Sequence, residues 1–139
     1  MKTFGVILLA MLFAACSKTS NPTSPSSGNV SFSSQVQPIL TNNCALSGCH
    51  AGQITTPIAI NEILLSGQAY NNIVNVKSQE MPQYYRVKPF SSDSSYLYMK
   101  ITGDPRIGTT ARMPYGKGPL SSSDIQTIKN WIDQGAQNN

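Results

Sequence analysis

The residues of this chain that could do chemistry are concentrated in one heptapeptide, C-A-L-S-G-C-H, which runs from Cys44 to His50. It contains two of the three cysteines and the single histidine of the chain. Two thiols followed directly by an imidazole could attach a haem through two thioethers, with His50 as an iron ligand. The common attachment motif has two residues between the cysteines, whereas here there are four.

Three interpretations of the heptapeptide are open. Haem c is the favoured cofactor, because a histidine that directly follows the second thiol can reach the iron of the attached group. Gly48 would ease a loop that accommodates the two extra residues. Cys44 and Cys49 could instead form a disulfide, which an exported protein permits but which gives His50 no role. A zinc site would need further soft ligands, and the chain has no other histidine.

A haem iron held by His50 takes a second axial ligand or keeps an open position. With one histidine, bis-histidine ligation within the chain is excluded and methionine is the next choice. Met99 falls in a helical pattern, where packing is the simpler interpretation. Met81 and Met113 both precede proline in loop segments. We predict Met113 as the distal ligand, Met81 as the reserve and an open position as the third option.

The N-terminus predicts export. Lys2 precedes an uncharged apolar run, Phe4–Ala15, which suits a signal peptide and is too short to span a bilayer. The sequence A-A-C that ends at Cys16 resembles the processing site of bacterial lipoproteins. We therefore expect a lipoprotein signal peptide in residues 1–15 and membrane anchoring through lipidated Cys16. The mature protein would lie in the cell envelope, periplasmic or surface-exposed, with a preference for the outer membrane. The alternative is an ordinary secretory signal peptide.

Composition divides the remaining chain into a tether and one domain. Residues 16–31 are rich in Ser, Thr, Asn and Pro, so that they cannot bury enough apolar surface to order themselves. Residues 32–139 have the length of a single small domain. Ten Lys and Arg against six Asp and Glu give a net charge of +4, and the positive residues are scattered. An exported protein with scattered charge is not expected to bind nucleic acid.

Helical periodicity predicts an all-α domain with long loops. In the first helix, Val36, Ile39 and Leu40 form an apolar stripe, Ser33 or Ser34 is the expected cap, and the pattern runs straight into Cys44. Two short helices are expected, one around Tyr70, Ile73 and Val74, and one after a cap at Asp93 or Ser94, with Leu97 and Ile101 inward. The last helix has Ser121 as its cap, Asp124 three residues on, Trp131 in the core and Gly135 as its stop. The domain has few apolar residues with which to form a core, which favours a fold built around a bound cofactor.

From Val36 to Ala136, a series of segments resembles the small single-haem c-type cytochrome domains of exported bacterial proteins, of the planctomycete and Bacteroidetes type. The segments are V-Q-P-I-L-T-N-N-C, C-H-A-G, Y-R-V-K-P-F-S-S-D-S-S-Y-L-Y-M-K-I-T-G, A-R-M-P-Y-G-K-G-P-L-S and I-K-N-W-I-D-Q-G-A. The resemblance implies a class I cytochrome c-like fold with His50 proximal and Met113 distal. The four-residue spacing and Phe90, where many relatives have glycine, depart from the family.

A haem with both axial positions filled by protein has no room for a substrate, so we expect one-electron transfer between protein partners and no enzymatic activity. Arg86 and Arg112 are candidates to pair with a haem propionate, and Tyr115 is a candidate haem contact. One alternative is a haem-based sensor or peroxidase-like domain with an open sixth site. Another is a non-haem binding lipoprotein with a disulfide loop.

Overall fold

The computed structural model describes residues 28–52 and 62–139. The predicted signal peptide, Cys16 and residues 17–27 of the predicted tether lie outside the described residues. In the part of the chain that is described, no helix has the length and apolar character needed to cross a membrane.

The regular secondary structure of the described residues is helical. The α-helices are α1 (Gln37–Asn43), α2 (Ala69–Ile73), α3 (Tyr96–Thr102) and α4 (Ser122–Asp133). A π-helical turn, Phe32–Val36, leads into α1, and the 3₁₀ turns Ser92–Ser94 and Pro105–Ile107 flank α3. Isolated bridges such as Val74 to Val87 link extended segments, but residues 28–52 and 62–139 contain no β-strand. The predicted all-α class is confirmed.

The first helical segment begins earlier than predicted. Ser31, not Ser33 or Ser34, is the cap, since its side chain accepts a hydrogen bond from the Ser34 backbone N–H at 3.3 Å. Pro38 lies in the first turn of α1, directly after the π-helical turn, as predicted. The helix ends at Asn43, so that it delivers Cys44 directly to the core.

The last helix has the predicted limits. The Ser121 side chain accepts a hydrogen bond from the Asp124 backbone N–H at 3.1 Å, which caps α4. The helix ends at Asp133, and Gly135 follows with a φ of 102°. Trp131 is fully buried, as predicted, and packs against Phe32 beside α1 with ring centroids 5.1 Å apart. This contact joins the two ends of the domain.

The helix that was predicted to bury Leu97 and Ile101 is also present, but its predicted cap is wrong. Asp93 and Ser94 lie within a 3₁₀ turn, and α3 begins at Tyr96 after Ser95. Leu97 and Ile101 are buried as predicted.

The folded domain extends two residues further toward the N-terminus than the predicted boundary at residue 32. The Val30 backbone N–H donates to the side chain of Gln134 at 2.7 Å. The Phe32 backbone N–H donates to the side chain of Asn139 at 2.8 Å. Val30 and Ser31, which were predicted to belong to the tether, therefore belong to the domain.

Candidate functional site

The heptapeptide folds into a compact loop in which the four intervening residues turn back on themselves. The backbone N–H of Leu46 donates to the Cys44 carbonyl at 2.8 Å, and that of His50 donates to the same carbonyl at 3.1 Å. Gly48 has a φ of 77°, a conformation that glycine adopts without steric cost. The two residues beyond the common spacing are thus absorbed in a turn, and His50 returns to the start of the loop.

The two cysteines are free thiols in different surroundings. Cys44 is 7% exposed and belongs to the main hydrophobic core, whereas Cys49 is half-buried. Burial, reinforced by the nearby negative charge of Glu62, raises the pKa of the Cys44 thiol to about 11. Cys44 is therefore a neutral thiol at physiological pH.

The imidazole of His50 is held in one tautomer by the backbone. Its Nδ1 lies 2.9 Å from the carbonyl oxygen of Glu62. A carbonyl can only accept, so Nδ1 must carry the proton and donate it. In the neutral imidazole Nε2 then bears the lone pair, as in histidines that bind a metal through this nitrogen and hydrogen-bond through the other.

A cavity of about 300 Å³ lies beside this loop, and its walls include Cys44, Cys49, His50 and Met113. Met113 comes from a distant part of the chain. Its backbone N–H donates to the Lys100 carbonyl at 3.0 Å, which attaches the Met113 loop to α3. The fold therefore brings the predicted distal ligand to the same cavity as the predicted attachment residues.

The other two methionines of the described residues lie elsewhere. Met99 is fully buried in a small cluster with Tyr96 and Ile107, as the packing interpretation predicted. Met81, the reserve ligand, packs against that same cluster, and neither methionine lines the cavity.

The cavity wall combines apolar side chains with paired charges. Lys100 forms an ion pair with Glu80 at 2.9 Å, and Tyr96 donates its hydroxyl proton to the same carboxylate oxygen at 2.9 Å. Burial of Tyr96, together with this carboxylate, raises the pKa of its hydroxyl to about 12. The apolar part of the wall includes Leu46, Leu64, Leu97, Ile101, Ala111 and Pro114.

A second ion pair on the wall joins Arg86 to Glu62 at 3.3 Å. Arg86 is buried, and it also donates to the carbonyl of Asn72 at 2.7 Å. Burial raises the pKa of Glu62, and the positive charge of Arg86 opposes this shift. The two ion pairs balance each other's charges, and exposed Lys117 adds a positive charge to the wall.

The three predicted minor contacts are placed differently. Arg86 lines the cavity, but its partners are Glu62 and Asn72. Tyr115 lines the cavity while 70% exposed. Arg112 is exposed and its side chain lies over Gly103, so that it is not part of the cavity wall. Lys100 and Lys117 are lining cations that the sequence interpretation missed.

Some of the cavity residues that were not predicted could have been found from the sequence, and others could not. Tyr96 and Lys100 stand four apart in α3, a spacing that places two side chains on one helix face. That pattern was available in the sequence. Glu62 and Glu80 lie outside the helices and meet their partners only through the fold, so no local pattern marks them.

The chemistry of the donor set fits haem c. Two thiols at the ends of one loop could form the thioethers, the Nε2 of His50 is the metal-binding nitrogen of its tautomer, and the sulfur of Met113 is available from another segment of the wall. The cavity volume of about 300 Å³ is at the lower end of the range for small-molecule sites.

Comparison with known proteins assigns no family to this geometry. No family model, curated protein or solved structure matches the chain.

Proposed function

We propose that this chain is a one-electron carrier that holds one covalently attached haem c, with His50 and Met113 as the iron ligands. The observation that carries the proposal is the meeting of four side chains at one cavity: two thiols, an imidazole and a thioether. The first three come from one heptapeptide, but Met113 is brought to them by the fold. Neither Met81 nor Met99 lines this cavity.

The attachment chemistry needs only the groups named. Cys44 and Cys49 would each add their S–H across one vinyl group of the haem. The sulfur bonds to one vinyl carbon and the hydrogen moves to the other, so that no external oxidant or reductant is consumed. Because the described thiols are free, both are available for this addition.

The ligand set favours electron transfer over catalysis. When bound, the haem iron supplies a one-electron couple between its ferric and ferrous states. Ligation by His50 and Met113 would leave no open position for a substrate, and the thioether of Met113 favours the reduced iron. The apolar wall around these residues would exclude water, and this further favours the less charged form.

The proposal includes a fold type and a location in the cell. Helices and long loops arranged around a cavity with this donor set support a class I cytochrome c-like fold. The predicted lipid on Cys16 would hold the domain at the cell envelope, where the electron donor and acceptor would be other proteins.

The first test is a pyridine haemochrome spectrum of denatured, acid-acetone-washed protein that was expressed with cytochrome c maturation. An alpha band typical of haem with two saturated vinyl groups would support thioethers at both Cys44 and Cys49. Loss of all haem in the wash would overturn the proposal and favour a non-haem binding lipoprotein.

The distal ligand has its own test. We expect Met113→Ala to abolish the weak near-infrared iron–sulfur band of the oxidised protein, because neither Met81 nor Met99 lines the cavity. Met81→Ala is the matched control and should retain the band. Persistence of the band in Met113→Ala would remove Met113 from the iron. Binding of carbon monoxide by the reduced wild-type protein would favour a sensor with a displaceable sixth ligand.

A further inference from the structure

Three consecutive backbone carbonyls beside the cavity each accept a hydrogen bond from a side chain. We call residues 62–64 the carbonyl segment. The donors to its carbonyls are His50 at residue 62 (2.9 Å), Asn72 at residue 63 (2.7 Å) and Gln37 at residue 64 (3.0 Å). Side chains from the heptapeptide loop, α2 and α1 therefore converge on one short stretch of backbone.

A second contact closes these hydrogen bonds into a ring. Asn72 donates to the carbonyl segment through its side chain and accepts from Arg86 through its own carbonyl, at 2.7 Å. Arg86 also pairs with the Glu62 carboxylate at 3.3 Å. Arg86 is only 6% exposed, so its position is fixed by packing and by both contacts.

His50 depends on this segment for its orientation. Its imidazole donates to the Glu62 carbonyl, and its own carbonyl accepts from the Leu64 N–H at 2.8 Å. Both contacts lie within the carbonyl segment. The position of the segment therefore decides where the His50 imidazole lies and which of its nitrogens carries the proton.

We propose that Asn72 and Arg86 are positioning residues for His50. They hold the carbonyl segment at hydrogen-bond distance from Nδ1, which keeps Nε2 as the nitrogen that binds iron. This inference rests on the proposed iron ligation by His50. A firm hydrogen bond from Nδ1 makes the imidazole a stronger electron donor, which stabilises the oxidised iron. The ring of contacts would thus lower the reduction potential relative to a site with a loose His50.

The test compares two adjacent asparagines of α2. Asn72→Ala removes the donor to the Ile63 carbonyl, whereas Asn71→Ala changes an exposed neighbour in the same helix. Asn72→Asp keeps the side-chain shape but lacks the donor. In the haem-loaded full chain, Asn72→Ala should raise the midpoint potential, whereas the carboxylate added by Asn72→Asp opposes that rise. We expect both Asn72 variants to loosen the His50 Nδ1 hydrogen bond. They should also speed solvent exchange of the His50 Nδ1 proton, seen by NMR, at least tenfold.

A conservative variant guards against simple unfolding. Arg86→Lys keeps the positive charge but cannot reproduce the two-sided contact with Asn72 and Glu62. It should shift the potential in the same direction, by less than Asn72→Ala. A folded Asn72→Ala protein whose exchange rate and potential match those of Asn71→Ala would overturn the inference, as would a folded Asn72→Asp protein with an unchanged exchange rate.

The inference can also be separated from the proposed function. If the chain retains no haem, nitrogen-15 NMR of His50 in the same full-length variants still reports the tautomer. A larger Nε2-protonated fraction in Asn72→Ala than in Asn71→Ala would support the positioning role although the haem proposal had failed. Equal fractions would overturn the positioning role.

Discussion

At the scale of single residues, the site depends on groups whose surroundings change their chemistry. Cys44 is the clearest case, because it is both a candidate attachment thiol and a member of the hydrophobic core. Its thiol pKa is raised from 9.0 to about 11, chiefly by burial. Such a thiol is stable as a core residue while neutral, and its ionisation opposes folding.

This shift predicts a loss of stability in alkali for the chain without haem. The unfolded chain releases the Cys44 proton first, so the free energy of unfolding should fall as pH rises from about 9 to about 11. The full shift corresponds to on the order of 2–3 kcal/mol. Urea unfolding at several pH values would measure it, with Cys44→Ala to subtract other titrating groups. The haem-loaded protein should lack this component, because a thioether has no proton to lose. An equal alkaline loss in Cys44→Ala would contradict the assignment.

Phe90 has a backbone conformation that is costly for a residue other than glycine. Its φ is 63°, in the left-handed region that glycine occupies freely. The side chain is 72% exposed and lies against Gly135. The backbone at this position therefore suits the glycine expected from the resemblance, and the phenyl ring gains little burial in return.

At the scale of elements, the short helices carry the site and the long helix supports them. The C-terminal end of α1 leads into Cys44, and α3 contributes both Lys100 and the backbone contact to Met113. α4 contributes no cavity residue, but its buried face carries Trp131, Ile128 and Ile132. Its stability should therefore support the whole domain.

The cap of α4 gives a direct test of that support. Ser121→Ala removes the acceptor for the Asp124 backbone N–H and should lower the free energy of unfolding by about 1 kcal/mol. Ser122→Ala is the matched control, since Ser122 is exposed in the first turn and is not the cap. Urea denaturation followed by Trp131 fluorescence would measure both. Equal midpoints for the two variants would show that the cap contributes nothing measurable.

At the scale of the whole molecule, the beginning and the end of the folded domain are joined. Asn139 accepts from the Phe32 backbone N–H through its side chain and from the Ser33 N–H through its backbone, both at 2.8 Å. Phe32 in turn packs against Trp131 and Tyr70. The segment that would continue from the predicted tether is thus held against the core.

Breaking the side-chain part of this junction should loosen the domain as a whole. Asn139→Ala leaves the Phe32 N–H without its acceptor and should cost about 1 kcal/mol of unfolding free energy. The neighbouring variant Asn138→Ala is the control. Hydrogen exchange should show the loss at the Phe32 amide and at the amides of the π-helical turn. If the two variants have the same stability and exchange, the junction is not a stabilising contact.

The sequence alone determined what depends on residues close together in the chain. The Ser121 cap, the core position of Trp131 and the stop at Gly135 predicted α4, because helix ends and buried faces follow from local spacing. The donor set of the heptapeptide was likewise visible, since thiol and imidazole chemistry depends on residue type and order. The predicted caps at Ser33 or Ser34 and at Asp93 or Ser94 failed because several neighbouring polar side chains could serve equally well.

Only the tertiary structure decided which distant groups meet. It placed Met113 rather than Met81 at the cavity and Arg112 away from the cavity wall. It also gathered His50 and Asn72 around the carbonyl segment. These contacts join loops and helices far apart in the chain, and they form because packing of the core fixes the backbone positions. Their partners have no shared periodicity or spacing in the sequence from which the pairing could have been deduced.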